Sequence, residues 1–203
     1  MISCILLAAG SSTRFGSPKA LARLGVESVI EHILTMLLDT KASEIIVVLG
    51  ADANAINTKI LKNSGIRIVM NDNYSLGQTS SFKEGLNNLD SNTEGILLLP
   101  VDMPFIKKET VNILIEVFLK NPFLMVVPTY EGKKGHPPIF SKRLFPEFKH
   151  LKNDEPLSTV LHKHEAQTLI LPVNDPGVIS SFNTTQELKE MLSLLKPSKP
   201  SQA

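Results

Sequence analysis

Tryptophan is absent from these 203 residues, cysteine occurs once, and aromatic side chains make up only 5%. A single cysteine excludes an intrachain disulfide and points to a reducing, cytoplasmic setting. Cys4 lies within an apolar run and reads as inert core rather than as a nucleophile. No stretch approaches the ~20 apolar residues of a membrane span. The N-terminus lacks the basic region of a signal peptide, so neither a membrane nor secretion is expected. Basic runs are missing as well. The 21 lysines and arginines are balanced by 20 acidic residues, which leaves no footprint for nucleic acid. Internal repeats and dividing linkers are also lacking, so residues 1–195 read as one domain, with 196–203 (K-P-S-K-P-S-Q-A) as a disordered tail. One local absence is more telling: no Asp or Glu precedes Glu27, whereas Arg14, Lys19 and Arg23 do, giving the first 26 residues a charge of +3 on a chain of net +1.

Apolar runs alternate with amphipathic stretches through residue 128. The expected strands are Ile2–Leu7, Glu44–Leu49, Arg67–Met70, Gly95–Leu99 and Leu124–Val127; the expected helices are Val29–Thr40, Ala53–Asn63, Thr79–Leu89 and Lys108–Leu119. In the first of these helices Val29, Ile30, Ile33, Leu34, Leu37 and Leu38 recur at three- and four-residue spacing and mark one buried stripe. Such alternation predicts an α/β fold, a mostly parallel sheet with helices on both faces. Ligands of these sheets bind outside the carboxyl ends of the strands, which places the loop after Leu7, Gly50, Asn71 and Asp102 along one edge.

The loop after the first strand, Gly10-Ser11-Ser12-Thr13-Arg14-Phe15-Gly16-Ser17-Pro18-Lys19, concentrates glycines, hydroxyls and two cations. Glycine adopts positive φ without penalty, and the backbone N–H groups such a loop frees cradle phosphate oxygens. Arg14 offers a planar fork to phosphate and Lys19 a mobile point charge. The spacing matches neither a P-loop, because Lys19 stands three residues after Gly16, nor a G-x-G-x-x-G fingerprint. A polyphosphate site and an ordinary strand-to-helix loop with surface cations both remain open on the loop alone.

Two further stretches carry chemistry. In Leu97-Leu98-Leu99-Pro100-Val101-Asp102-Met103-Pro104, a buried strand delivers one carboxylate between two prolines that restrict its backbone. One carboxylate together with triphosphate oxygens holds Mg²⁺, although an Asp in this place also caps helices. In Asn71 to Phe82, a polar turn and Gly77 lead into a helix whose first turn carries Ser80 and Ser81, which fits an anion site and a plain helix start equally well. Beyond residue 128, Thr129–Lys134 reads as a hairpin tip followed by Gly135-His136-Pro137-Pro138. His162 and His164 stand two apart on a helix, a poor metal pair, and read as surface.

The pattern L-A-A-G-x-S-x-R-x-G-x-x-K from Leu7 to Lys19 resembles the signature of the MobA-like NTP transferase family, and the likeness extends over about residues 2 to 190. Gly77, Ser80, Ser81, Gly85 and Leu86 match its G-x-x-S-S-h-x-x-G-h element, and Asp102-Met103-Pro104 matches its D-M-P. Gly135-His136-Pro137 is similar to the G-H-P of the molybdenum-cofactor cytidylyltransferase (MocA-type) branch. The resemblance implies a Rossmann-like three-layer nucleotidyltransferase fold and Mg²⁺-dependent transfer of a nucleoside monophosphate. It assigns Arg14, Lys19 and Asp102 to catalysis, and Leu7, Ala8, Ala9, Gly10, Ser11, Ser12, Gly16, Gly77, Ser80 and Ser81 to the nucleotide. Asp102 would bind the metal with Asn183 in support, and Gly135, His136 and Pro137 would face the acceptor.

Ala9 is the clue to the base. The resemblance implies that L-A-A-G goes with CTP users and L-A-G-G with GTP users, although one methyl gives only ~1–3 kcal/mol of discrimination. CTP and a molybdopterin-like phosphate acceptor are the implied substrates, with a molybdoenzyme apoprotein as a downstream partner. Two departures stand against the branch. Ser181, Asn183 and Thr185 replace its D-I-D-T-P acids and proline, with Asn183-Thr184 nearer the N-T of guanylyltransferases and sugar-nucleotide pyrophosphorylases. Asn153–Ser158 also lacks its G-D-x-G-A-R. A guanylyl- or sugar-phosphate transferase of the same fold, and a non-catalytic nucleotide-binding cofactor chaperone, are the alternatives.

Overall fold

A computed structural model describes residues 1–195; the expected tail, 196–203, lies outside the described residues. In chain order the strands are β1 (Ile2–Ala8), β2 (Arg23–Leu24), β3 (Glu27–Ser28), β4 (Glu44–Leu49), β5 (Ile66–Met70), β6 (Gly95–Pro100), β7 (Met125–Tyr130), β8 (Lys133–Lys134), β9 (Ile139–Ser141) and β10 (Thr168–Pro172). The helices are α1 (Val29–Leu38), α2 (Ala53–Asn57), α3 (Gln78–Asn87), α4 (Lys108–Lys120), α5 (Phe145–His150), α6 (Ser158–Lys163) and α7 (Thr185–Leu195).

The main sheet runs β10-β7-β9-β6-β1-β4-β5, with β8 paired to β7. β1 is parallel to β4 and β6, β4 to β5, and β10 to β7; the short β9 lies antiparallel between β6 and β7. This is the expected mostly parallel architecture, and β1 shows why its strands read as continuous apolar runs. Ile2, Cys4, Leu6 and Ala8 enter the core under α1 and α4, while Ile5, Leu7 and Ala9 enter the core under α3 and α5. Both faces of the strand are buried, so alternation disappears. Cys4 is fully buried and its thiol is pushed far up by desolvation, consistent with inert core.

Local signals explain several element boundaries. α1 starts at a capping box in which the Ser28 hydroxyl accepts the Glu31 N–H and the Glu31 carboxylate accepts the Ser28 N–H. The hairpin expected at Thr129–Lys134 forms, with φ of +49° and +76° at Glu131 and Gly132, as a two-residue turn with both central residues left-handed requires. The expected helix Ala53–Asn63 stops at Asn57. The Thr58 hydroxyl bonds back to Ala55 O, and Lys59 and Ile60 make tighter three-residue turns onto Ile56 and Asn57. β9 and β10 had no expectation, one being three residues long and the other a half-exposed edge strand ending in a proline. His162 is exposed, but His164 is half-buried, its Nε2 2.8 Å from a Glu147 carboxylate oxygen, which corrects its reading as surface. Among the described residues no helix is long and apolar enough to cross a membrane.

Candidate active site

The strand order sets the site. β6, β1, β4 and β5 are successive neighbours, so the segments leaving their carboxyl ends stand side by side. Asp102 follows β6, the glycine loop follows β1, Gly50 follows β4, and Tyr74 follows β5. A cavity of about 520 Å³ opens across this edge, lined by Leu7, Ala9 and Gly10 to Arg14, by Lys19, by Tyr74, Ser75, Gly77, Gln78 and Ser81, and by Pro100 to Asp102.

The glycine loop is shaped by Ser12. With φ of +51°, it presents its carbonyl to the N–H groups of Phe15 and Gly16, at 2.9 and 3.1 Å. Its hydroxyl accepts the Lys19 N–H at 3.0 Å, which brings the loop's far end back to its start. Gly16 completes the reversal at φ +82°, and its Cα faces open space, so the glycine serves backbone conformation rather than close approach.

Lys19 then reaches across to the next strand. Its Nζ donates to Asp102 Oδ2 at 2.8 Å and to Asn183 Oδ1 at 3.0 Å, while Arg14 Nη2 donates to the same Asn183 oxygen at 3.0 Å. Lys19 Nζ also sits 5.6 Å from the Phe182 ring centroid, and Phe15 packs edge-on against that ring. Two cations of the glycine loop are thereby locked to a carboxylate after β6 and an amide in the C-terminal segment.

That segment is held by a buried carboxylate. Asp175 Oδ2 accepts the Lys107 N–H at 2.9 Å and the Thr110 hydroxyl at 2.7 Å, and Oδ1 accepts the Gly177 N–H at 2.9 Å. The Phe182 N–H then donates to Asp102 O at 3.1 Å. Asn183 is fixed in turn by Glu187, whose carboxylate accepts the Asn183 and Thr184 N–H groups at the start of α7.

The other site residues separate into those that line the cavity and those the fold consumes. Leu7, Ala9, Gly10, Ser11, Ser12, Gly77 and Ser81 line it, together with Arg14, Lys19 and Asp102. Ala8 does not, because alternation along β1 turns its side chain into the opposite core. Ser80 does not either: it is buried in a network in which the Asn71 amide donates to both Ser80 and Ser81 and the Ser80 hydroxyl donates to Asn73 O. Gly16 lies outside the lining as well. Tyr74, Ser75 and Gln78 line it without having been singled out in the sequence. Tyr74 is seated by Gly50, where an added Cβ would stand 2.5 Å from the tyrosine Cβ. A signal was present: one of only two tyrosines stands just after a predicted strand end on the ligand-binding edge.

Gly135, His136 and Pro137 stand beside this edge rather than in the cavity wall. The His136 N–H donates to Val178 O at 2.7 Å, and a Cβ on Gly135 would lie 2.3 Å from that same oxygen, so this glycine is required by packing. Pro137 is buried. The His136 ring lies 3.5 Å from Leu98 O, and desolvation lowers its pKa from the ordinary 6.5, against smaller opposing effects of Leu98 O and the Asp102 charge. A histidine whose folded value is depressed takes up a proton first in the unfolded chain. Its contribution to stability is complete above 6.5 and is lost as pH falls below that value toward the folded one. We therefore expect urea midpoints measured from about pH 7.5 to about pH 5.5 to fall less steeply in His136→Gln than in the parent chain.

A sequence profile of the MobA-like NTP transferase domain matches residues 4–168. The chain belongs to that family. A probable molybdenum cofactor guanylyltransferase of Bacillus mycoides is 30% identical over 132 residues, 64% of this chain and 62% of that protein. The molybdenum cofactor cytidylyltransferase of Escherichia coli is 28% identical over 141 residues, 70% of each chain. The match thus spans somewhat under two thirds of the Bacillus protein's length. Among solved structures, a homologue of Mycobacterium tuberculosis Rv0371c from Mycobacterium sp. strain JC1 superposes with a TM-score of 0.84 at 28% identity, covering 95% of this chain and 96% of that one.

Proposed function

We propose that this chain is a nucleotidyltransferase that moves CMP from CTP onto the phosphate of a molybdopterin-like acceptor and releases pyrophosphate. The observation that carries the reading is the convergence of Arg14, Lys19 and Asp102, tied together through Asn183, on the charged flank of a cavity whose other flank, at the end of β5 two strands beyond β1, is Tyr74, Ser75 and Gln78. A nucleoside triphosphate has the same division, a charged end and an aromatic end.

In this mechanism an acceptor phosphate oxygen attacks the α-phosphorus, and the bond to the bridging oxygen breaks as pyrophosphate leaves. Lys19 neutralises the charge that grows on the α-phosphoryl oxygens, and Arg14 holds the β- and γ-phosphates as they depart. The acceptor is already anionic and requires no strong base. No covalent enzyme intermediate is needed, since positioning and charge stabilisation suffice.

The donor set fits a divalent cation. Asp102 Oδ2 and Asn183 Oδ1 both lie within 3.0 Å of one positive nitrogen, so they converge on a cation-sized point. Among the described residues no group of three or more His, Cys, Asp and Glu side chains is arranged to hold a metal ion. One carboxylate and one amide, completed by water and substrate phosphates, is the kind of set Mg²⁺ accepts. Asp102 and Asn183 would hold Mg²⁺, which supplies charge neutralisation to the triphosphate.

Ala9 supports the choice of CTP, since it is buried and lines the cavity. Thermal unfolding with CTP, GTP, ATP and UTP, each with and without Mg²⁺, tests the reading. A ligand at 100 times its Kd adds about 2.7 kcal/mol, and each kcal/mol raises Tm by roughly 2–4 °C at this size. The expected result is the largest rise with CTP and Mg²⁺, followed by pyrophosphate release on adding molybdopterin. The largest rise with GTP, in line with Asn183-Thr184, would replace CMP by GMP, and no rise with any nucleotide would overturn the reading.

A further inference from the structure

The ion that joins Asp102 to Asn183 in this structure is the chain's own Lys19 ammonium. The side chains of Lys19 and Asp102 are 12% and 25% exposed, so this contact is mostly shielded from water. Lys19 is the same residue that, on the reading above, must reach the α-phosphate. It cannot neutralise the substrate and also occupy the point between the two donor oxygens. We propose that Lys19 is a latch on the cation site: in the nucleotide-free chain it fills the position of the divalent ion, and the ion gains Asp102 only when a triphosphate draws Lys19 away.

Two features support the latch. The first is the direct occupation of Asp102 Oδ2 and Asn183 Oδ1 by one nitrogen, at 2.8 and 3.0 Å. The second is the local charge. Arg14 and Lys19 stand directly on the two donor oxygens, with the Glu187 carboxylate behind them on the Asn183 N–H, so a bare divalent cation approaching those oxygens meets two like charges first. A triphosphate reverses that sign and offers Lys19 a stronger anionic partner than one carboxylate. Phe182 and Phe15 hold the latch in register, since Phe182 lies against both Lys19 and the glycine loop. Metal and nucleotide therefore bind with positive coupling, and the chain does not load metal in advance. This order protects the site from stray cations between turnovers. It rests on the proposed nucleotidyl transfer for its purpose, but the occupation itself does not.

The test uses Mn²⁺ as the probe, followed by electron paramagnetic resonance of the free ion, with no nucleotide present. The parent chain is expected to bind Mn²⁺ weakly. Lys19→Met, which keeps the chain length and removes the charge, is expected to bind it about tenfold or more tightly, because a charged hydrogen bond no longer competes for Asp102. Adding Asp102→Ala to Lys19→Met should abolish the gain and so place it at this site. Lys19→Gln serves as a second variant, and circular dichroism confirms that each protein is folded. Equal Mn²⁺ affinity in the parent chain and in both folded Lys19 variants would overturn the latch, as would a gain that survives Asp102→Ala. A failure of the transferase reading would look different: no nucleotide would raise Tm, whatever the outcome with bare Mn²⁺.

Discussion

Lys19→Ala is expected to lower the turnover number by about 10²–10³-fold, the loss typical of removing one donor aimed at developing charge. The structure sharpens the form of that result. Among the described residues Lys19 Nζ is the only group that bonds the side chains of both Asp102 and Asn183, so its removal takes away the proposed α-phosphate contact and frees Asp102 Oδ2, while Arg14 still donates to Asn183 Oδ1. Metal binding without nucleotide should therefore improve while catalysis collapses. KM for the nucleotide should change less than kcat, because Arg14, in its proposed role, would still hold the departing phosphates and the cavity wall from Tyr74 to Gln78 is intact. Pyrophosphate release measured at saturating nucleotide and acceptor checks the prediction. Retention of near-full turnover would remove Lys19 from the mechanism.

Asp175→Ala is expected to destabilise the fold by about 3 kcal/mol, seen as a fall in Tm of roughly 6–12 °C. Asp175 is only 1% exposed and accepts three hydrogen bonds, from Lys107 N, Thr110 Oγ1 and Gly177 N. Alanine accepts none of them and leaves the donors without their partner in a region closed to water. The damage should reach the site. Asp175 ties the start of α4 to the segment that ends at Asn183, and a Cβ on Gly177 would lie 2.2 Å from Phe105 O, so these backbones touch. When that segment loosens, Asn183 no longer holds Arg14 and Lys19 in place, and kcat should fall even in molecules that remain folded at the assay temperature. Calorimetric unfolding and turnover on the same preparation separate the two effects. Loss of stability with unchanged turnover would show that Asn183 is positioned without Asp175.

The first 128 residues announced their architecture because each central strand buries both faces, and continuous apolar runs such as Ile45–Leu49 are hard to mistake. The same property hid part of the sheet. β9 pairs antiparallel with both β6 and β7 through three residues, and its place between them depends on partners distant in sequence. β10 lies at an edge, where half-exposed residues blur the pattern. Residue roles divided in a similar way. The glycine loop and Asp102 could be picked out by residue type and local backbone restriction, but only the family resemblance chose a role for them. Ser80 and Ser81, adjacent and chemically alike, could not be told apart until α3 turned one toward Asn73 and the other toward the cavity.

By itself the sequence determined an α/β chain with a cationic glycine loop and a lone aspartate at one sheet edge, because hydrophobic periodicity, glycine and proline act within a few residues. What tertiary structure alone decided was the joining of Arg14 and Lys19 to Asn183, more than 160 positions away. That contact exists because Asp175, Phe182 and Glu187 anchor the C-terminal segment beside β6. The same long-range packing put an ammonium between Asp102 and Asn183, where the family resemblance implied a metal. Side-chain charge is written locally, but the partner that neutralises it is chosen by the fold.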